Sequence, residues 1–109
     1  MNNLKYILTL LLVFCSSVVL AQQKRISGHV FSKIDGPVAM ANVVEKDKSN
    51  RVISATQTDM SGNFSMTIKN PANRLEISYI GYGTQSMAIG GQSSFRVEMK
   101  ERSMNEANP

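Results

Sequence analysis

Tryptophan is absent from the 109 residues, and histidine and cysteine occur once each; each shortage closes a class of function. The lone thiol, Cys15, sits inside an N-terminal apolar run, so the chain beyond that run cannot use disulfides or a cysteine nucleophile. A single histidine, His29, supplies no second imidazole for a metal centre, and its position in an alternating segment reads as a solvated strand histidine rather than a catalytic base. The net charge of +4, one unit of which belongs to Lys5, is small and dispersed. With neither a basic helix nor a cluster of aromatics, it argues against nucleic acid. A second domain, an internal repeat and a low-complexity tract are also missing. No catalytic, cofactor-binding or metal-ligating residue is expected.

What is present begins with Lys5 and the run Tyr6 to Ala21. A positive start, an apolar stretch and a small residue at its end make a secretory leader over residues 1–21, with cleavage after Ala21 and Gln22 as the new N-terminus. Two alternatives share that pattern: a retained membrane anchor, and lipidation at Cys15, which the bulky Phe14 before it disfavours. Residues 22–100 are expected to form one small domain whose stability is sensitive to single core residues. Residues 101–109 form a polar, flexible tail.

The stretch Thr58-Asp59-Met60-Ser61-Gly62-Asn63-Phe64 organises the domain. Asp59 can accept backbone N–H groups, Gly62 supplies a position where positive φ carries no Cβ penalty, and the turn delivers a strand whose Phe64, Met66 and Ile68 share one face. So short a turn is expected to join neighbouring antiparallel strands. Asp59 and Asn63 do not make a calcium loop, because the alternating oxygen ligands and the closing acidic ligand are missing.

Around that centre the chain alternates. Ile26 and Val30 share a face in 24–31, with Gly28 between them where a neighbour can approach closely. A turn at 32–37 is followed by strands at 38–45 and 52–58, joined by the polar hairpin tip Lys46-Asp47-Lys48-Ser49-Asn50. Residues 74–80 place Leu75, Ile77 and Tyr79 on one face, and the Gly81-Tyr82-Gly83 bend lets Tyr82 cover the rim of the core. Strands at 84–89 and 94–99, the latter aligning Phe95, Val97 and Met99, complete seven. The expected fold is all-β: a seven-stranded sandwich of two antiparallel sheets, with sequence-adjacent strands sometimes crossing between them.

Ile26-Ser27-Gly28-His29-Val30, Gly36-Pro37 ahead of Ala41-Asn42-Val43-Val44, Thr58-Asp59 with Gly62-Asn63-Phe64, and Ile77-Ser78-Tyr79-Ile80-Gly81-Tyr82 together resemble a carboxypeptidase regulatory-like domain. This is the transthyretin-like sandwich at the N-terminus of many SusC-type TonB-dependent outer-membrane receptors of Bacteroidetes. The resemblance runs from Ile26 to Met99 and, with the strand pattern, leads to the expectation of an all-β, seven-stranded sandwich of transthyretin-like or immunoglobulin-like architecture. It implies that Gly28 and Gly62 hold backbone geometry, that Phe64, Tyr79 and Tyr82 build or cap the core, and that no residue is catalytic. The plug and barrel that follow the domain in such receptors are not seen after Met99, so the chain by itself is not expected to import a nutrient. The resulting expectation is a non-enzymatic accessory or protein-interaction domain without cofactor, exported to the periplasm or the periplasmic face of the outer membrane, whose partner is another envelope protein. A stand-alone glycan-binding or adhesion module and a truncated receptor remnant are the alternatives. A sheet edge could recruit another chain by strand addition, or be shielded by the Lys46-to-Arg51 loop.

Overall fold

Alternating burial sets the layers of the sandwich. In the computed structural model, which describes residues 3, 6 and 23–102, apolar side chains two apart along the strands at 63–68, 74–78 and 94–98 turn into one shared core. The elements are β1 (Lys24–Ser32), β2 (Gly36–Pro37), β3 (Asn42–Lys46), β4 (Val52–Gln57), β5 (Asn63–Ile68), β6 (Arg74–Ser78), β7 (Gln85–Ala88) and β8 (Ser94–Glu98). One sheet is centred on β1, which pairs antiparallel with β5 (Lys24↔Ile68 to His29↔Asn63) and beyond it with β2, and pairs parallel with β8 (Ser27↔Ser94 to Phe31↔Glu98). The other is an antiparallel sheet in the order β4-β3-β6-β7. The two bury Ile26 and Val30 from β1, Phe64, Met66 and Ile68 from β5, Phe95 and Val97 from β8, against Val43, Leu75 and Ile77.

The all-β sandwich is as expected; four details differ. An eighth strand, the two-residue β2, occupies the stretch read as a turn, where Gly36 at φ 77° lets the chain fold back onto Ser32. The β1–β8 pair is parallel, because β8 reaches β1 only after the chain has crossed from the opposite sheet. The strand expected from Val38 starts at Asn42. Val38 N–H still bonds to the Val30 carbonyl of the first sheet (3.0 Å), and Met40 adopts φ 63°, so Val38 to Ala41 forms a corner between the layers.

The fourth difference concerns the organising turn. Its local geometry is as expected: Asp59 Oδ1 accepts the Ser61 and Asn63 N–H groups, each at 2.9 Å, and Gly62 has φ 80°. It does not close a hairpin. It carries the chain from β4 in one sheet to β5 in the other, and is tied to both. The Gly62 carbonyl accepts Val30 N–H at 2.7 Å on the first sheet, while Thr58 exchanges backbone hydrogen bonds with Met40 and Ala41, each at 3.0 Å, ahead of β3. The buried Thr58 hydroxyl adds a donation to the Val38 carbonyl (2.6 Å) and accepts Ala41 N–H (2.9 Å).

Both ends of the sandwich are set by these registers. At one end lie the 33–35 turn, the 38–41 corner, the 58–62 crossover, the 79–84 loop and residues 99–102; at the other lie the 46–51 hairpin tip and the 69–73 and 89–93 crossovers. The leader read over residues 1–21 falls outside the described residues apart from Asn3 and Tyr6, and so do residues 103–109 of the tail. Glu101 and Arg102 are described: Glu101 bridges to Tyr82, and Arg102 N–H bonds to the Gly81 carbonyl at 3.0 Å.

Candidate functional site

The polar residues singled out from the sequence are held by structural duties. His29 lies on the outer face of the first sheet, where its Nδ1 hydrogen-bonds Asn63 Oδ1 at 2.8 Å and its ring stacks on Phe31. The Arg96 guanidinium covers the same Phe31 ring at 4.4 Å from its centroid, a cation–π contact that shields an outward-facing aromatic from water. Asp59 serves the crossover turn. Asp47 does the same work at the hairpin tip: its Oδ1 accepts Ser49 and Arg51 N–H, and its Oδ2 accepts the Arg51 guanidinium at 3.2 Å. The Arg51 N–H bond, helped by those from Ser49 and the guanidinium, holds the Asp47 carboxyl below its usual range. Among the described residues no three histidine, cysteine or acidic side chains come together as a metal site, and no described helix is long and apolar enough to cross a membrane.

Tyr82 packs against the core as expected, and its hydroxyl donates to Asp35 Oδ2. That bond to a carboxylate raises the phenol above its usual value; a hydrogen bond with Ser32 opposes the rise without cancelling it. Tyr79 is corrected. β6 ends at Ser78, and Tyr79, 37% exposed, lies outside the core with its ring centroid 6.2 Å from that of Tyr82. Between the two tyrosines and the 35–39 segment is a cleft of about 380 Å³ lined by Asp35, Pro37, Val38, Ala39, Tyr79 and Tyr82.

Sequence reasoning missed Glu45. It occupies the inward phase of β3 after Val43 and is fully buried. Its carboxylate accepts Lys69 N–H (2.9 Å), Asn70 N–H (3.0 Å) and Asn73 Nδ2 (2.7 Å), fastening the crossover between β5 and β6. Burial pushes its carboxyl up; the bonds from Lys69, Asn73, Asn70 and Ser54 together outweigh that and leave it below the usual 4.5. The period-two phase of Ala41, Val43 and Glu45 was the available signal, since it puts an acid where a core residue belongs.

Surfaces remain as the candidate sites. β4 is an edge strand that contributes no buried side chain, and the Val52–Gln57 stretch carries no charge. Its pairing with β3 slips between Lys46↔Val52 and Glu45↔Ser54, leaving Ile53 as an extra residue two positions after Arg51. Such a bulge and a flanking charge are devices that blunt an edge against strand addition. The two ends of the sandwich differ more sharply. The 46–51 end carries Lys46, Asp47, Lys48 and Arg51, with Lys46 paired to Glu76 at 3.0 Å. At the opposite end Ile34, Met40, Met60 and Ile80 are 75, 53, 83 and 89% exposed.

Residues 26–108 match the family model of the CarboxypepD_reg-like domain. The chain is 30% identical over 100 residues to TonB-dependent receptor P3 of Formosa agariphila, a match that covers 91% of this chain and 10% of the receptor. It is 31% identical over 93 residues to TonB-dependent receptor P39 of the same organism, covering 84% of this chain and 9% of that receptor. The chain therefore spans about a tenth of the length of these curated relatives.

Proposed function

Because this chain belongs to the family of CarboxypepD_reg-like domains, which is non-catalytic, we propose that it is a protein-interaction domain accessory to outer-membrane nutrient-uptake receptors, working at the periplasmic face of that membrane. The observation that carries the reading is the match to two TonB-dependent receptors over most of the chain. The leader read at residues 1–21 supports export, with Gln22 as the mature N-terminus and no lipid at Cys15. The chemistry agrees: His29, Asp47, Asp59 and Glu45 are each engaged in holding turns or strands. What the fold leaves to a partner is surface rather than a reaction centre.

Mature 22–109, immobilised and challenged with solubilised outer-membrane and periplasmic proteins, should retain a TonB-dependent receptor identified by mass spectrometry. Saturable retention on a glycan array with no protein retained would overturn the assignment in favour of a glycan-binding module. Intact-mass measurement of exported protein should give the Gln22 start; a species keeping Cys15 with a diacylglycerol mass would contradict the leader reading.

A further inference from the structure

Four tight turns at one end of the sandwich break the usual rule of turn composition in the same way. Tight turns favour Gly, Asn, Asp and Ser, and these residues are present: Asp35 and Gly36, Asp59 with Ser61 and Gly62, Gly81 and Gly83. Yet the protruding positions are Ile34, Met40, Met60 and Ile80. Met40 is there in spite of a positive φ, where Asn or Gly would be favoured. The opposite end shows the ordinary pattern, with Lys48, Ser49 and Asn50 at the hairpin tip and Gly90, Gly91 and Gln92 in the 89–93 crossover. With Tyr79, the apolar-tipped end holds five of the exposed large apolar or aromatic side chains of residues 23–102; the other two, Val52 and Ile53, lie at the β4 bulge. Single exposed apolar residues are ordinary, but concentration on four separate turns at one end is not.

We propose that this apolar-tipped end is the docking surface for an outer-membrane receptor, with Ile34, Met40, Met60 and Ile80 seated in apolar pockets of the receptor and Tyr79 and Tyr82 flanking a cleft that takes up a receptor side chain. The inference rests on the interaction reading above and names its surface. Two observations favour a protein occupant over a lipid surface. Acids and bases are interleaved with the tips, namely Lys33, Asp35, Asp59, Lys100, Glu101 and Arg102. Such a mixture, with exposed tyrosine and methionine, matches a protein interface with an apolar centre and a hydrogen-bonding rim, whereas several carboxylates would be pressed toward the membrane if the tips entered lipid. The chain also leaves the domain here: Arg102 is bonded to Gly81, next to Ile80. The match to TonB-dependent receptor P3 covers only 10% of that receptor, so most of its polypeptide lies outside the matched segment.

The test places a photo-crosslinking amino acid at Ile34, Met60 or Ile80, and for comparison at Lys48, Ser49 or Gln92, in the full chain expressed in its native envelope. Adducts with a TonB-dependent receptor, identified by mass spectrometry and confined to the tip positions, are expected. The triple variant Ile34→Ser/Met60→Ser/Ile80→Ser should keep its melting temperature, since these side chains are exposed, and lose receptor affinity by about tenfold or more. Receptor adducts confined to Lys48, Ser49 or Gln92 would overturn this inference and leave the interaction reading standing. The absence of receptor adducts at every position would overturn both. Co-flotation with phosphatidylethanolamine vesicles that is abolished in the triple variant, with no receptor adduct, would replace the protein occupant by a membrane.

Discussion

The Glu45 carboxylate accepts a hydrogen bond from the buried Asn73 amide at 2.7 Å, joining the inward end of β3 to the last residue of the crossover between β5 and β6. Glu45→Ala leaves that amide and the Lys69 and Asn70 N–H groups without their acceptor, and is expected to cost roughly 3 kcal/mol, given about 1–3 kcal/mol for an orphaned buried donor and partial relief by water at the exposed backbone. The acid dependence has a defined sign. A carboxyl held below its unfolded value contributes stability above that value and loses it as the pH falls through the lowered one. Urea midpoints should therefore decline from about pH 4.5 downward, with a shallower decline in Glu45→Gln, which is already weaker at neutral pH. An unchanged acid slope in that variant would remove Glu45 from the acid response.

Gly28 and Phe64 face each other across the β1–β5 pair, and the ring lies where a Gly28 side chain would be. A Cβ built on Gly28 would meet Phe64 Cε1 at 2.4 Å and the Phe95 carbonyl at 2.9 Å. Phe64→Ala should cost about 3–5 kcal/mol through lost transfer energy and an unfilled cavity. Gly28→Ala should cost about 1–3 kcal/mol by overpacking. The pair should be non-additive: with Phe64 already truncated, the added methyl finds room, and its cost should fall by about 1 kcal/mol or more. Additive urea midpoints would mean that the Phe95 carbonyl, rather than the ring, sets the limit at position 28.

Gly62 and Asn50 occupy the same place in two copies of one turn. In both, an aspartate three residues earlier accepts the N–H groups two and four positions ahead of itself, and the residue between those two positions has a positive φ, at 80° for Gly62 and 65° for Asn50. Their surroundings differ. A Cβ on Gly62 would lie 2.4 Å from the Val30 carbonyl, whereas Asn50 stands exposed at the hairpin tip. Gly62→Ala should thus exceed the roughly 1–2 kcal/mol of left-handed strain alone, and Asn50→Ala should cost no more than about that. Thermal melts with equal losses would show that close approach adds nothing at Gly62.

Local chemistry was legible in the sequence where one residue type answers one backbone demand. The Asp59 acceptor, the positive φ of Gly62, the inward row of Phe64, Met66 and Ile68, and the fold class are readable from turn and period-two patterns. The destination of the turn was not legible: a turn ending a hairpin and one crossing between sheets share these residues, and the crossover is decided by distant bonds to Val30 and Ala41. Tyr79 continued the alternation of Leu75 and Ile77 past the point where the strand stops, so period alone misplaced it. Glu45 was hidden because its partners, from Lys69 to Asn73, are more than twenty residues away in the chain. Ile34, Met40, Met60 and Ile80 are scattered in sequence, and only the strand registers gather them at one end.

The Tyr82 phenol donates to the Asp35 carboxylate, and this bond links the 79–84 loop to the 33–35 turn at the apolar-tipped end. Ionising the phenol would remove the donated proton and set a phenolate against a carboxylate, which is why the group is held above its usual 10.0. Residues 22–109 contain only Tyr79 and Tyr82, so a Tyr79→Phe variant of that segment lets Tyr82 be followed alone by tyrosinate absorbance. Its midpoint should lie above that of a free tyrosine and fall on adding Asp35→Asn, because the amide neither repels the phenolate nor accepts as strongly. The same loop carries the bonds from Gly83 N–H to the Lys100 carbonyl (2.9 Å) and from Arg102 N–H to the Gly81 carbonyl (3.0 Å). If Tyr82 anchors the loop, Tyr82→Phe should speed amide exchange at Gly83 and Arg102 while leaving Val30 and Ile77, deep in the two sheets, at their parent rates. Equal acceleration at all four amides would mean that the hydroxyl supports the whole sandwich, and unchanged exchange at Gly83 and Arg102 would mean that ring packing alone holds this end together.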